Sequence, residues 1–398
     1  MDENQGDVPL TNRLRDEAAY NVRQHPMVPR IAVVGCGWWA TQFHIPGLLS
    51  YDGAKLAGIV DSDENRLAAA REAFGVPAFG SLDELLATTN IDGVVVATTS
   101  ASHYTLAHQA LRAGLHVMVE KPMVFRASEA WDLVQLARDA DLVLQVGYTH
   151  HYTRSAQRLH DVITNGGIGE ILQISSLYAT IVESFYRGRP NDYRNFYDFP
   201  ITGPGATTYS DPSVAGGGQG MTQACHVIGM VLWTTGLRAT EVSAFMENTD
   251  LAVDLVDAMA FRLDNGAIGT VGSTGNLRPG EPKQQEIRYY GSSGFALQDM
   301  LLATVEIHYA DGQVERIGVE GAEDPYPAFS TARGLADLIA GRGPNVAPGD
   351  AGAKAVEFLE AAYASAASNQ HVVVKASVGS NVSPRFQSDR RPPDREAK

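Results

Sequence analysis

Between Arg30 and Tyr148, short unbroken apolar runs alternate with amphipathic stretches of helical length. Runs at 31–34, 55–60, 93–97, 115–119 and 142–146 carry Val, Ile and Leu without polar alternation. That pattern predicts strands buried on both faces, and so a parallel sheet. Stretches such as 64–74, 103–113 and 127–140 predict the helices between them. Right-handed crossovers wind this alternation into a doubly wound Rossmann domain.

After Tyr148 the pattern changes to period-two alternation with hairpin signals. A helix is expected over 151–165, ended by Gly166-Gly167, then strands at 170–182, 241–246, 258–263, 267–273 and 285–290. Asp264-Asn265-Gly266 and Asp311-Gly312 read as hairpin turns. Strands at such short spacing predict an antiparallel or mixed sheet with helices, at 222–235, 329–339 and 353–367, on one face. The expected organisation is an extension over 1–28, a dinucleotide-binding domain over 29–150, a substrate-binding and oligomerisation domain over 151–375 and a disordered tail over 376–398. No internal repeat occurs.

The 398 residues suffice for two domains with sizeable cores. A net charge of −15 argues against a nucleic-acid partner, which needs clustered Lys and Arg. No apolar run approaches the roughly 18 residues of a membrane span, and residues 1–24 are polar and mixed in charge, unlike a secretory signal. Cys36 and Cys225 are the only cysteines, which reads as two reduced thiols in a cytoplasmic protein.

Candidate chemistry gathers where strands end. Gly35-Cys36-Gly37-Trp38-Trp39-Ala40 is a G-x-G-x-x-A turn directly after the first strand. Gly35 permits the tight turn, Gly37 lets backbone approach a pyrophosphate, and Ala40 allows close helix–strand packing. Trp38 and Trp39 are expected to cover that turn, and Cys36 to pack within it. Asp61 ends the second strand, where a carboxylate accepts both hydroxyls of an adenosine ribose. Ser62 and Asp63 follow with no adjacent Arg, so NAD is favoured over NADP. Asp61 or Ser62 also suits the N-cap of the helix at 64–74. Glu120-Lys121-Pro122 follows another strand at the carboxyl edge of the sheet, where open α/β folds bind ligands. A lysine there can hold a substrate oxygen and shuttle its proton; the plainer alternative is a surface lysine with Glu120 as its solvated partner. His226 has the intrinsic pKa of a general base and follows Gly216-Gly217-Gly218, which lets backbone approach a ligand.

The stretch from Ala113 to Pro122, Ala-Gly-Leu-His-Val-Met-Val-Glu-Lys-Pro, is similar to the A-G-K-H-V-x-x-E-K-P signature of the glucose–fructose oxidoreductase / inositol dehydrogenase / MocA (Gfo/Idh/MocA) family. Gly216-Gly217-Gly218 followed by His226 resembles the family's G-G-G-x-x-x-D-x-x-x-H motif, and Gly349–Ser365 its closing helix. The resemblance covers about Arg30 to Val374. It implies a Rossmann domain followed by an α/β domain with a large open, mostly antiparallel sheet that builds homodimers or homotetramers. It also implies NAD-dependent hydride transfer at a secondary alcohol of a sugar, cyclitol or glycoside, with Lys121 and His226 at the reacting carbon.

Three departures stand out. The family's T-P-N-x-x-H loop is Thr98-Thr99-Ser100-Ala101-Ser102-His103 here, with Thr98, Thr99 and His103 still expected at the cofactor beside Glu120. The Asp four residues before the catalytic His is Thr222, which hydrogen-bonds but carries no charge; His226 then acts with Lys121 alone, or with Gln223 or a Tyr as auxiliary. The usual N-R-R is replaced around Thr149-His150-His151, whose histidines sit where the domains meet and are expected to touch nicotinamide or substrate. As a metal pair they lack a third ligand, so no metal is expected. Between Val182 and Gly218 lies an aromatic-rich insertion with Phe185, Tyr186, Tyr193, Phe196, Tyr197, Phe199 and Tyr209 interleaved with Arg187, Arg189, Asn191 and Arg194. It reads equally as a sugar-stacking, Arg-gripping loop or as a packed loop. The same residues admit two other uses: transient oxidation by a retained NAD that ends in glycoside cleavage, or dinucleotide sensing without turnover.

Overall fold

The computed structural model describes residues 28–375, so the expectations for the two tails lie outside the described residues. Six strands, β1 (Arg30–Val34), β2 (Lys55–Val60), β3 (Ala78–Phe79), β4 (Gly93–Val96), β5 (His116–Val119) and β6 (Leu144–Val146), form a parallel sheet in the order β3-β2-β1-β4-β5-β6. The apolar runs of β1, β2, β4, β5 and β6 are buried, as two-sided coverage requires, while the short edge strand β3 is half-buried. Register decides where chemistry emerges. Val34 lies opposite Val60 and Val96, Val96 opposite Val119, and Val119 opposite Val146. Gly35, Asp61, Ala97, Glu120 and Gly147 therefore leave the sheet side by side along one edge.

The second sheet holds β7 (Ile171–Ala179), β8 (Ala239–Glu247), β9 (Val256–Leu263), β10 (Ile268–Thr274), β11 (Gln284–Gly291), β12 (Gly294–Asp299), β13 (Thr304–Tyr309), β14 (Val314–Ile317) and β15 (Val372–Val373). Its order is β14-β13-β12-β11-β7-β10-β9-β8-β15, antiparallel except where β10 runs parallel to β7. Helices Arg154–Thr164, Cys225–Thr235 and Gly349–Ser368 cover its inner face. From Cys225 to Thr234 every residue of the central helix is buried, as befits a helix that is apolar all round.

Several elements differ from expectation. The helix expected from 151 starts at Arg154, because the Thr153 hydroxyl caps it by accepting from Ala156 N. β12 carries a polar residue, Gln298, at a buried position, which masks its period, whereas β13 and β14 bury the apolar Val305, Ile307 and Ile317. Most consequentially, helix Ser330–Ile339 returns to the first sheet, where Ala332, Leu335 and Ala336 pack with Ile31, Val33 and Val95.

Candidate active site

The turn after β1 is shaped by its neighbours. Gly35 has φ +103°, donates its N–H to Val60 O (2.7 Å), and leaves no room for a Cβ against the Ala97 carbonyl. Beside Gly37 there is open space, opening on a groove of about 580 Å³ lined by Gly35, Asp61, Arg66, Thr98 and Thr99. Ala40 is fully buried, and Cys36 packs within the turn, its thiol pushed up to about 12 by burial and then by the Asp61 charge. This concave edge, with glycine backbone below and an acidic residue at its end, fits a dinucleotide.

Asp61 is more engaged than its position in the sequence suggests. Oδ2 accepts from Cys36 N (2.8 Å) and Oδ1 from Asp63 N (2.8 Å), so it ties the glycine turn to the next helix. The N-cap of Glu64–Phe74 is Asp63, not Asp61 or Ser62. The expectation that no Arg adjoins Asp61 is also corrected. The first turn of that helix brings the Arg66 guanidinium within 3.3 Å of both Asp61 oxygens.

A second cavity of about 380 Å³ shares Trp38, Trp39, Thr98, Thr99, Thr208 and Tyr209 with the groove. The structure brings Lys121, Thr222, Gln223, His226, Glu120, His103, His150 and Tyr197 to its wall. The Lys121 Nζ donates to the Thr222 carbonyl (3.0 Å), across 101 positions of sequence. The surface-lysine alternative fails, because Glu120 is buried and bonded instead to His44 Nε2 (2.9 Å) and Lys121 N (3.0 Å). His226 is buried, stacked on Tyr178 with the ring planes 8° apart and edge-on to His150 at 5.8 Å. Burial first, then Lys121 and two neighbouring histidines, hold it well below the ordinary histidine range, so it is neutral at pH 7. The Thr222 hydroxyl donates to Gly218 O (2.8 Å) and meets the Tyr186 hydroxyl at 2.7 Å. His103 braces the loops, its Nδ1 lying 2.9 Å from Pro122 O.

His151 departs from expectation. Its ring is stacked between Tyr148 (4.9 Å) and Trp233 (4.3 Å), with Nδ1 donating to Val346 O (3.0 Å), so it belongs to the core and not to the cavity. Within the insertion, Phe185, Tyr186, Tyr197 and Tyr209 line the cavity. The Arg-gripping alternative loses two of its three arginines: Arg187 is held by Glu183 and Asp250, and Arg189 by Asp192. The insertion also reaches the glycine turn, where Thr202 donates to Cys36 O (3.1 Å) and Trp38 Nε1 to Asp198 O (3.1 Å). Sequence reasoning missed Lys283, which lies 5.1 Å from the Phe196 ring and 5.4 Å from that of Tyr197 at the cavity wall. Only its position just before a strand pointed to it. No group of three or more His, Cys, Asp or Glu among the described residues is placed to hold a metal.

Residues 29–148 match the oxidoreductase family with an NAD-binding Rossmann fold, GFO_IDH_MocA, and residues 156–297 match the GFO/IDH/MocA C-terminal domain. The chain belongs to the Gfo/Idh/MocA family. Among family relatives, it is 32% identical over 151 residues to a dTDP-3,4-didehydro-2,6-dideoxy-alpha-D-glucose 3-reductase of Streptomyces violaceoruber, covering 37% of this chain and 44% of that protein. It is 24% identical over 280 residues to D-glucoside 3-dehydrogenase of Escherichia coli, covering 70% and 67%. The chain thus spans less than half the length of the Streptomyces relative. The fold of GenD2 from gentamicin A biosynthesis, solved with NAD, matches with a TM-score of 0.70 at 24% identity, covering 89% of this chain and 98% of that one. The matched family is one of oxidoreductases with an NAD-binding Rossmann fold, and no helix among the described residues is long and apolar enough to cross a membrane.

Proposed function

We propose that this Gfo/Idh/MocA member is a dehydrogenase that moves a hydride between nicotinamide and a secondary alcohol of a sugar, cyclitol or glycoside. One observation carries the reading: Lys121 and the neutral, buried His226 share a cavity whose wall continues into the dinucleotide groove. When bound, the nicotinamide supplies the hydride acceptor. The Lys121 ammonium has three protons and spends one on Thr222 O, leaving two to bind the substrate oxygen and bear its developing charge. His226 takes the hydroxyl proton as the carbon–hydrogen bond gives up its electron pair and the carbonyl forms. Trp38, Tyr178, Tyr186 and Tyr197 line the cavity and give it an aromatic wall suited to a sugar. The sugar substrates named for the Streptomyces and Escherichia coli relatives support this class.

NAD is the favoured cofactor, since the Asp61 carboxylate suits a free ribose, while Arg66 beside it moderates the penalty on a 2′-phosphate. We read the protein as cytoplasmic, without nucleic-acid or membrane partners, and as a homodimer or homotetramer. The test is absorbance at the reduced-nicotinamide band with NAD or NADP and a panel of sugars, inositols and glycosides. A steady rise that Lys121→Ala cuts by about 10²-fold or more is the expected result. A flat trace for all three classes, from protein that binds NAD, would sink the reading.

A further inference from the structure

The glycine turn that launches the His226 helix is held by a carboxylate from a distant loop. Asp254, in the loop before β9, accepts from Gly218 N (2.7 Å) and Tyr363 Oη (2.7 Å) with Oδ1, and from Gly220 N (2.6 Å) with Oδ2. Its carbonyl accepts from Gln219 N (2.9 Å), and the Tyr363 hydroxyl accepts from Met221 N (3.0 Å). Four successive N–H groups, 218 to 221, thus end on Asp254 and Tyr363. These are the donors a helix start leaves without partners. The glycines are required by the same contact: a Cβ at Gly218 would overlap the Asp254 carbonyl, and one at Gly217 the Tyr363 hydroxyl.

Beside Asp254 sits a second carboxyl that the proposed reaction does not use. Asp257 on β9 is 3% exposed and points inward, and neither of its oxygens has a conventional donor. Two carboxyl oxygens form a hydrogen bond only when one of them carries a proton. We propose that Asp254 and Asp257 share one proton, and that this singly charged pair is the clamp that holds residues 216–222 where Thr222 and His226 face the cavity. Asp257 is then the proton donor and Asp254 the acceptor, which leaves Asp254 anionic toward the backbone N–H groups. Burial first, then the Asp254 charge, raise Asp257 to about 9. The titratable groups facing the pair are Tyr363 from helix Gly349–Ser368 and Tyr186 from helix Glu183–Tyr186. Met246 and Ser273 lie opposite Asp257 on β8 and β10. Both aspartates act through the turn and so are positioning residues.

The proton gives the clamp a signature that needs no substrate. An unfolded Asp titrates near 4. Between about 4 and about 9 the folded chain holds a proton that the unfolded chain has released, so this contribution to stability is full below the lower value and shrinks as pH rises to the upper one. Asp257→Asn keeps the shape and the donor but has no proton to lose. Thermal unfolding of the full chain from pH 5 to 9 should show the Tm gap between Asp257→Asn and wild type widening steadily in favour of the variant. A constant gap would overturn the shared proton. Hydrogen exchange at pH 7 should speed up about tenfold or more at 218–221 in Asp254→Ala, with β1 to β6 unchanged. Asp254→Asn, which turns a donor toward the Gly220 N–H, is the milder variant if the first does not fold. Unchanged protection at 218–221 would remove the clamp. The role assigned to His226 rests on the proposed function, but both readouts fail or succeed independently of any turnover.

Discussion

Lys121 and His226 divide the chemistry by charge. The lysine is held by one carbonyl and the histidine is kept neutral, so the cavity offers a proton donor and a proton acceptor at once. A base with a lowered pKa stays competent as pH falls. The acid limb of kcat/KM is therefore expected well below the pH 6.5 of an ordinary histidine, and His226→Asn should lower kcat by about 10²–10⁴-fold; a limb at 6.5 in the pH–rate profile would contradict a buried base. Stability follows the same sign at a neighbouring residue. Burial lowers His151 to about 3, so the unfolded chain binds a proton there first, and stability is lost as pH falls from about 6.5 toward that value. His151→Phe should lose less Tm than wild type between pH 7 and 4.5, measured by calorimetry. At Arg66 the expectation concerns selectivity. Arg66→Met should weaken NADP relative to NAD by about tenfold, the scale of one charge-assisted bond, and an unchanged ratio of the two Kd values would mean Arg66 does not face the ribose.

At the scale of elements, the insertion between β7 and the His226 helix does two jobs. Its aromatic residues line the cavity, and its far end bonds to the glycine turn of the other sheet. Trp38 is the hinge of that contact, touching Phe185, Tyr197 and Phe199 with centroids 5.0–6.0 Å apart. Trp38→Ala removes three ring contacts of about 0.5–1.5 kcal/mol each. It should raise KM for cofactor and substrate by about tenfold or more while changing kcat less; steady-state kinetics with KM unchanged would show that Trp38 does not hold the insertion closed. The insertion's aromatic content was legible in the sequence, but its use was not. Arg187 and Arg189 looked ready to grip a substrate, and their carboxylate partners, one of them 63 positions away, were assigned only by folding. The strands of the first sheet were legible because burial on both faces leaves a continuous apolar run, whereas β12 buries Gln298 and loses its period.

The whole molecule leaves one large surface to account for. The outer face of the second sheet exposes Phe245 (75%), Ile268 (50%) and Leu297 (36%), and apolar side chains exposed on a sheet face favour self-association. Phe245→Asp should shift the protein toward monomer in sedimentation velocity at micromolar concentration; wild type that is already monomeric there would count against the homo-oligomer.

What the sequence determined by itself was local: the strand runs, the glycine turn, and the placement of Asp61 and Lys121 at strand ends, because hydrophobic period and backbone freedom are properties of neighbouring residues. Tertiary structure alone decided which polar groups meet. It set Lys121 against Thr222 O, Arg66 against Asp61, His151 inside the core and Asp254 against the glycine turn. Each of these depends on register, crossover and helix packing, which bring together residues whose spacing along the chain carries no signal of contact.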